Sequence, residues 1–264
     1  MKPKVAVFKF ASCDGCQLQL LNLEDELLAI AGIVDFAFFA EARSRMVPGP
    51  YDVAFVEGSI TTEADARRIQ QIRADSRVLV TIGACATAGG IQALRNWADV
   101  EEYKRAVYPS PELISSLATS TPIATHVRVD HEISGCPIDK RELLAALRSL
   151  LSRTRPSLPG YSVCLECKRR GNVCVVVARG EPCLGPVTRA GCGALCPALA
   201  RGCYGCFGPS DDPNVPPLAA LLGRQGLPED ERLRRLRGIN AYAPVFRRVT
   251  EKMQDAADSK DGED

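Results

Sequence analysis

The chain has 264 residues, 46% of them apolar and 25% charged, with a formal net charge of +1. That length supports one sizeable core and a smaller appendage. The near-neutral charge gives no electrostatic pull toward nucleic acid, and no apolar run approaches the ~20 residues of a membrane span.

In chain order, the opening MKPKVAVFKF reads as a charged lead into a strand over Lys4 to Phe10. It lacks the apolar stretch and small-residue cleavage site of a signal peptide, so a cytoplasmic chain is expected. The turn Ala11-Ser12-Cys13-Asp14-Gly15-Cys16 follows, then leucines from Leu18 to Leu28 at helical spacing. Val34 to Phe39 and Tyr51 to Val56 read as strands, the latter ending at Glu57-Gly58-Ser59. Thr61 or Thr62 can cap a helix to about Ala74, with Glu63 and Asp65 in its first turn favouring the helix dipole. Arg77 to Ile82 is a fourth strand, ending in Gly83-Ala84-Cys85, and a helical segment carries Leu94 and Trp97. His126 to Val129 is expected as a fifth strand leading to Gly135-Cys136-Pro137, and Asp139 caps a helix over Lys140 to Leu151. Strands alternating with helices predict an α/β domain built on a mostly parallel sheet, with sites beyond the carboxyl ends of its strands. Cys13, Cys16, Cys85 and Cys136 all follow a predicted strand at that end.

SRTRPSLPG, residues 152–160, reads as a linker. Beyond it eight cysteines fall between Cys164 and Cys206, among glycines and prolines with little periodicity. A segment so rich in loops needs bound metal to supply much of its folding free energy. Weaker helices are expected at Leu218 to Leu222, Glu229 to Leu236 and Pro244 to Met253, then a frayed tail. The expected organisation is a first domain over 1–157, a small, loop-rich domain over 158–254 and an acidic tail over 255–264.

Twelve cysteines in a chain placed in a reducing compartment point to metal or redox chemistry rather than disulfides. Twelve divides into three sets of four, the ligand count of a cubane iron–sulfur cluster. Cys13-x-x-Cys16 lets two thiolates reach adjacent irons from one tight turn, and backbone amides at the following helix start can donate to the bound group. A thioredoxin-like dithiol also sits at a strand–helix junction, and the further cysteines at Cys85 and Cys136 weigh against it. The second region divides by sequence into Cys164, Cys167, Cys174 and Cys183, then Cys192, Cys196, Cys203 and Cys206. On spacing alone this segment suits either two four-cysteine zinc sites or two clusters, and ligands can be exchanged between neighbouring clusters.

CDGCQLQLL at Cys13, VEGSITT at Glu57, IGACATAGGIQALRN at Cys85 and SGCPIDK at Cys136 resemble the small subunit of nickel–iron hydrogenases. The stretch from Cys164 to Cys206 resembles its C-terminal cluster domain, and the resemblance is closest to the delta subunits of cytoplasmic sulfhydrogenases. It implies a flavodoxin-like parallel-sheet domain holding a proximal cluster on Cys13, Cys16, Cys85 and Cys136. It further implies a medial cluster on Cys192, Cys196, Cys203 and Cys206 and a distal one on Cys164, Cys167, Cys174 and Cys183. All three would be 4Fe-4S clusters, since cysteines replace the ligand pattern of the periplasmic enzymes. The implied partners are a large subunit carrying the nickel–iron site, an iron–sulfur subunit and a flavin/NAD(P) subunit. F420-reducing and methylviologen- or heterodisulfide-linked hydrogenases are the alternative context, and a zinc-stabilised assembly protein is the alternative of another class. The N-terminal domain also resembles the cluster-bearing subunit of respiratory complex I.

Glu57 ends a strand at the cysteine rim, where it is either a proton relay or a turn residue bonded to backbone amides. Lys168, Arg169 and Arg170 read as a solvated loop or a dock for an acidic partner. RLRRLR, residues 232–237, reads as an amphipathic helix packed on protein. His126 and His131 are expected to be structural. The glycines around Cys85 form neither a dinucleotide fingerprint nor a P-loop, so no nucleotide or flavin is expected on this chain, and the resemblance places the nickel on the large subunit rather than here.

Overall fold

The computed structural model describes residues 2–261. The chain divides into two compact units, Met1–Leu158 and Pro159–Asp264.

The first unit is built on five strands: β1 (Lys4–Lys9), β2 (Asp35–Phe39), β3 (Tyr51–Glu57), β4 (Ser76–Ile82) and β5 (His131–Ile133). They lie in the order β2-β1-β3-β4-β5, and every neighbouring pair is parallel. This is the flavodoxin-like order, in which winding reverses between β1 and β3. Alternation along the strands separates the core into two faces. Val5, Val7, Val53, Phe55, Val80 and Ile82 point to one face, which is packed with Leu20, Leu143 and Leu147. Ala6, Phe8, Ala54, Val56 and Leu79 point to the other, against Ile69 and Ile72. Burial on both faces is why the strand sequences are almost continuously apolar.

Helices α1 (Gly15–Leu21), α2 (Asp25–Ile33), α3 (Glu63–Ala74), α4 (Gly83–Ala88), α5 (Val100–Val107) and α6 (Lys140–Leu151) complete the unit. The leucine-rich segment expected as one helix is two, broken where Glu24 takes a φ of 50°. Thr62, not Thr61, caps α3, its hydroxyl accepting from the Asp65 amide at 3.1 Å. Asp139 caps α6 through the amides of Arg141 and Glu142 at 2.8 and 3.3 Å. The segment around Leu94 and Trp97 is a 3-10 helix, Ile91–Trp97. Helix α5 went unread, although Asp99 as cap and Glu101 and Glu102 in the first turn are its signature.

The fifth strand is not at His126 to Val129 but at His131–Ile133, where Val80, Thr81 and Ile82 pair with it. Its start is fixed by Asp130. The Asp130 amide donates to the Leu79 carbonyl at 3.0 Å, and its carboxylate accepts from the Leu79 amide at 2.8 Å and from Arg73 at 2.6 Å. Val127 is buried in a loop, which gave the segment a strand-like pattern. His126 is structural: Nε2 pairs with the Thr121 hydroxyl at 2.8 Å.

The second unit contains three short helices among loops, α7 (Val163–Arg169), α8 (Val175–Arg179) and α9 (Leu195–Ala198). Helices α10 (Val215–Arg224), α11 (Glu229–Leu236) and α12 (Pro244–Asp261) follow and pack on one another. Leu218, Leu222, Leu233, Leu236 and Phe246 are buried there. The RLRRLR segment thus buries its leucines on protein, while Arg234 and Arg235 pair with Asp230 and Glu231 one turn earlier. Helix α12 runs to Asp261, past the end expected at Met253, because Asp255-Ala256-Ala257 contains no helix breaker. Residues 262–264 of the expected tail lie outside the described residues.

Candidate metal centres

In the first unit the cysteines collect where the strands end. β1 leads through Phe10, whose amide donates to the Glu57 carbonyl at 2.8 Å, and Ala11, which bridges to Ser59. Asp14 takes a left-handed conformation with φ 66°, and α1 then starts with Cys16 in its first turn. Cys85 is in α4, directly after β4, and Cys136 follows β5. The Ala84 amide donates to the Gly135 carbonyl at 2.8 Å, tying the two turns together. Gly83, at φ 84°, is required here: a Cβ would stand 2.3 Å from Cys16 Sγ. Cys16 is buried, Cys85 half-buried, and Cys13 and Cys136 exposed. Cys85 lies within electrostatic reach of Cys13 and Cys136, and Cys16 of Cys85 and Cys136. Four thiols from three distant segments of the chain thus share one rim.

Glu57, the last residue of β3, is 1% exposed. Its two carboxylate oxygens accept from the Cys16 and Gln17 amides at 3.2 and 3.3 Å, at the start of α1. Burial raises its pKa above the ordinary carboxylate value, and the amide bonds partly offset this. Burial also pushes the Cys16 thiol far up, with Glu57 as the next cause, and pushes Cys85 up to about 11. Gln92, which sequence reasoning missed, accepts from the Cys85 thiol at 3.5 Å and donates through Nε2 to the Ala11 carbonyl at 2.6 Å. Seven residues after a cysteine inside a 3-10 helix, it carries no local signal.

In the second unit Cys164, Cys167, Cys174 and Cys183 all line one cavity of about 110 Å3, with Val163, Val175 and Pro197 among its walls. One water-sized sphere occupies ~10–15 Å3 on the same measure, so these thiols surround a space several times larger than a single ion needs. A polynuclear group fits that space and that donor set. Cys164 and Cys167 sit one turn apart on α7, Cys174 precedes α8, and Cys183 lies in the loop beyond it. Cys183 Sγ accepts from the Gly185 and Cys203 amides at 3.4 and 3.2 Å, and Cys167 Sγ from Asn172 at 3.7 Å.

Of the remaining set, Cys203 lies within electrostatic reach of Cys192, and burial pushes its thiol up to about 12. Cys192 is drawn into the same small core as Cys203. Cys196 lies in α9, and the carbonyl of Cys206 is held by Asn240 Nδ2 at 3.1 Å. Grouping these two with Cys192 and Cys203 rests on the sequence. Glu166, between the cysteines of α7, was also missed. Its oxygens accept from the Gly191 and Ala194 amides at 3.0 and 3.1 Å, fastening α7 to the Cys192 loop. Among the described residues no helix is long and apolar enough to cross a membrane.

Fold and thiols together define a flavodoxin-like domain with a cysteine rim, followed by a cysteine-rich module. The family model described as NADH ubiquinone oxidoreductase, 20 Kd subunit, matches residues 13–150. The chain is 38% identical to sulfhydrogenase 2 subunit delta of Pyrococcus furiosus, over 89% of this chain and 98% of that one. It is 34% identical to a vhu subunit of the F420-non-reducing hydrogenase of Methanocaldococcus jannaschii, over 79% of this chain and 82% of that one. Among solved structures, a chain of an NAD+-reducing [NiFe]-hydrogenase in the H2-reduced state aligns with TM-score 0.56 and 30% identity, over 60% of this chain and 96% of that chain. The chain belongs to the 20 Kd subunit family of NADH ubiquinone oxidoreductase, in the branch formed by the iron–sulfur small subunits of nickel–iron hydrogenases.

Proposed function

We propose that this chain is the electron-relaying small subunit of a cytoplasmic nickel–iron hydrogenase, built to hold three 4Fe-4S clusters. The proximal set is Cys13, Cys16, Cys85 and Cys136, the medial set Cys192, Cys196, Cys203 and Cys206, and the distal set Cys164, Cys167, Cys174 and Cys183. The observation that carries this reading is the single cavity onto which all four distal thiols open. When bound, such clusters supply one-electron carriers between hydrogen activation in a large subunit and an acceptor module. The protein's own part is to hold thiolates rigidly, aim amides at them and keep water out. Gly185 and Cys203 do the second for Cys183, and the buried Val163 and Val175 do the third. Leu18, Ile91 and Leu94, on the segments that follow Cys16 and Cys85, are 48%, 59% and 43% exposed. Apolar exposure beside the proximal set supports a large subunit, carrying the nickel–iron site, as the cover. Glu57 orients Cys16 through its amide, and burial raises its pKa beside the proximal set, as a proton relay there would require.

Likeness to the sulfhydrogenase delta subunit favours an acceptor module of an iron–sulfur subunit and a flavin/NAD(P) subunit, with polysulfide as an alternative acceptor. The Methanocaldococcus relative favours an F420-non-reducing context as the second reading, and the subunits that copurify separate the two. The deciding experiment is the iron, zinc and acid-labile sulfide content of anaerobically purified protein. About twelve irons and about twelve sulfides per chain are expected. Zinc in the second unit, with only about four irons per chain, would sink the relay.

A further inference from the structure

The loops that carry the distal and medial cysteines meet along one seam. The Cys203 amide donates to Cys183 Sγ at 3.2 Å, and the Leu184 amide donates back to the Cys203 carbonyl at 3.0 Å. Gly202 makes the approach possible: a Cβ there would stand 1.9 Å from the Pro182 carbonyl oxygen and 3.4 Å from Cys183 Cα. Gly202 is not among the glycines with positive φ, so this position needs glycine for closeness rather than for conformation. Cys183 and Cys203 are each 7% exposed and belong to one buried core with Val163, Val175 and Ala194. On the flanks Glu166 holds the Gly191 and Ala194 amides, and Arg170 donates to the Gly193 carbonyl at 2.6 Å.

We propose that the Cys203 peptide N–H bonded to Cys183 Sγ is the contact through which the medial and distal centres exchange electrons, with Gly202 as the positioning residue that keeps it closed. This rests on the reading of Cys203 as a medial ligand and Cys183 as a distal one. The route runs through one residue and one hydrogen bond, with no water and no gap between side chains. One electron leaving the medial centre enters the distal centre, so one is oxidised as the other is reduced, and no further reactant is needed. The same bond has a second effect. A donor aimed at a ligand sulfur favours the more negative, reduced state of that centre, so it raises the distal potential.

The test is Gly202→Ala in the full anaerobic complex, beside Gly32→Ala, whose added methyl meets nothing within 4 Å. Iron and sulfide are counted first, and the two C-terminal clusters are then followed by paramagnetic resonance during a redox titration. With wild-type iron content, Gly202→Ala is expected to shift electron sharing away from the distal cluster about tenfold, or about 59 mV, and to weaken the magnetic coupling between the two reduced clusters. Gly32→Ala should leave both unchanged. Full iron content with unaltered potentials and coupling would overturn the proposal. If Gly202→Ala fails to take up its clusters, the wild-type complex decides, because its two C-terminal signals must be coupled when both are reduced and independent signals refute the seam. A wild-type chain carrying zinc in place of these clusters would instead refute the relay reading itself.

Discussion

The two units position cysteines by different means. In Met1–Leu158 the thiols sit in turns and helix starts at the rim of a sheet whose two faces are packed before any cofactor is considered. In the cysteine-rich part of the second unit the thiols are themselves the core: Cys183 and Cys203 are buried with Val163, Val175 and Ala194, and Cys167 and Cys192 pack against them. One scaffold presents its thiols on a finished core, whereas the other builds its thiols into the core. That cysteine-rich segment, with so few buried aliphatic side chains, is expected to draw folding free energy from what its thiols bind.

The sharpest way to break this contrast is to remove the clusters by chelation under oxidising conditions. Residues 159–214 should then become susceptible to proteolysis while the sheet unit stays resistant, and equal resistance of both would refute the contrast. Single ligands should repeat it on a smaller scale. Cys85→Ala and Cys183→Ala should each lose about four irons. Only Cys183→Ala should also loosen the surrounding segment, read as faster amide exchange around Val163 and Val175. Leu79→Ala, within the sheet, should cost about 2–5 kcal/mol of the first unit's stability in denaturant melts while leaving the iron count intact.

Proton linkage gives a smaller effect. Cys85, in the sheet unit, carries a thiol raised by burial to about 11 from an ordinary 9.0. In the cluster-free chain the folded first unit keeps this proton after the unfolded state has released it, so that unit's stability should fall as pH rises from about 9 toward 11. The cluster-bound chain, with its thiolates on iron, should show no such loss in parallel thermal melts. The smallest expected change is Glu57→Gln, which keeps an acceptor for one amide and removes the titrating carboxyl. The proximal potential should lose part of its pH dependence with little change in melting temperature, and an unaltered pH slope would remove the proton role from Glu57.

Much of the first unit was legible because its signals are local. Apolar runs marked four of the five strands, and the Thr61-Thr62 pair and Asp139 announced their helices, the structure choosing Thr62. The fifth strand was not legible, because Asp130 places it by bonding to Leu79, fifty-one residues away. The break after Leu21 depends on Glu24 taking a backbone conformation that its residue type does not advertise. Glu57 was visible as a strand end whose carboxylate could bond backbone amides, but the identity of those amides, Cys16 and Gln17, was not. Gln92, Glu166 and Asn240 act across loops and left no pattern.

The sequence by itself determined how many thiols there are, which pairs share a turn, and that Cys13, Cys16 and Cys85 follow strands while the eight from Cys164 on follow none, since chain spacing is a local property. Only the tertiary structure decided that Cys13, Cys16, Cys85 and Cys136 meet at one rim, through parallel pairing of β1, β3, β4 and β5. It also decided that Cys164 through Cys183 enclose a single cavity, and that Gly202 lets Cys203 reach Cys183. Each of these is a contact between segments whose separation along the chain carries no information about their separation in space.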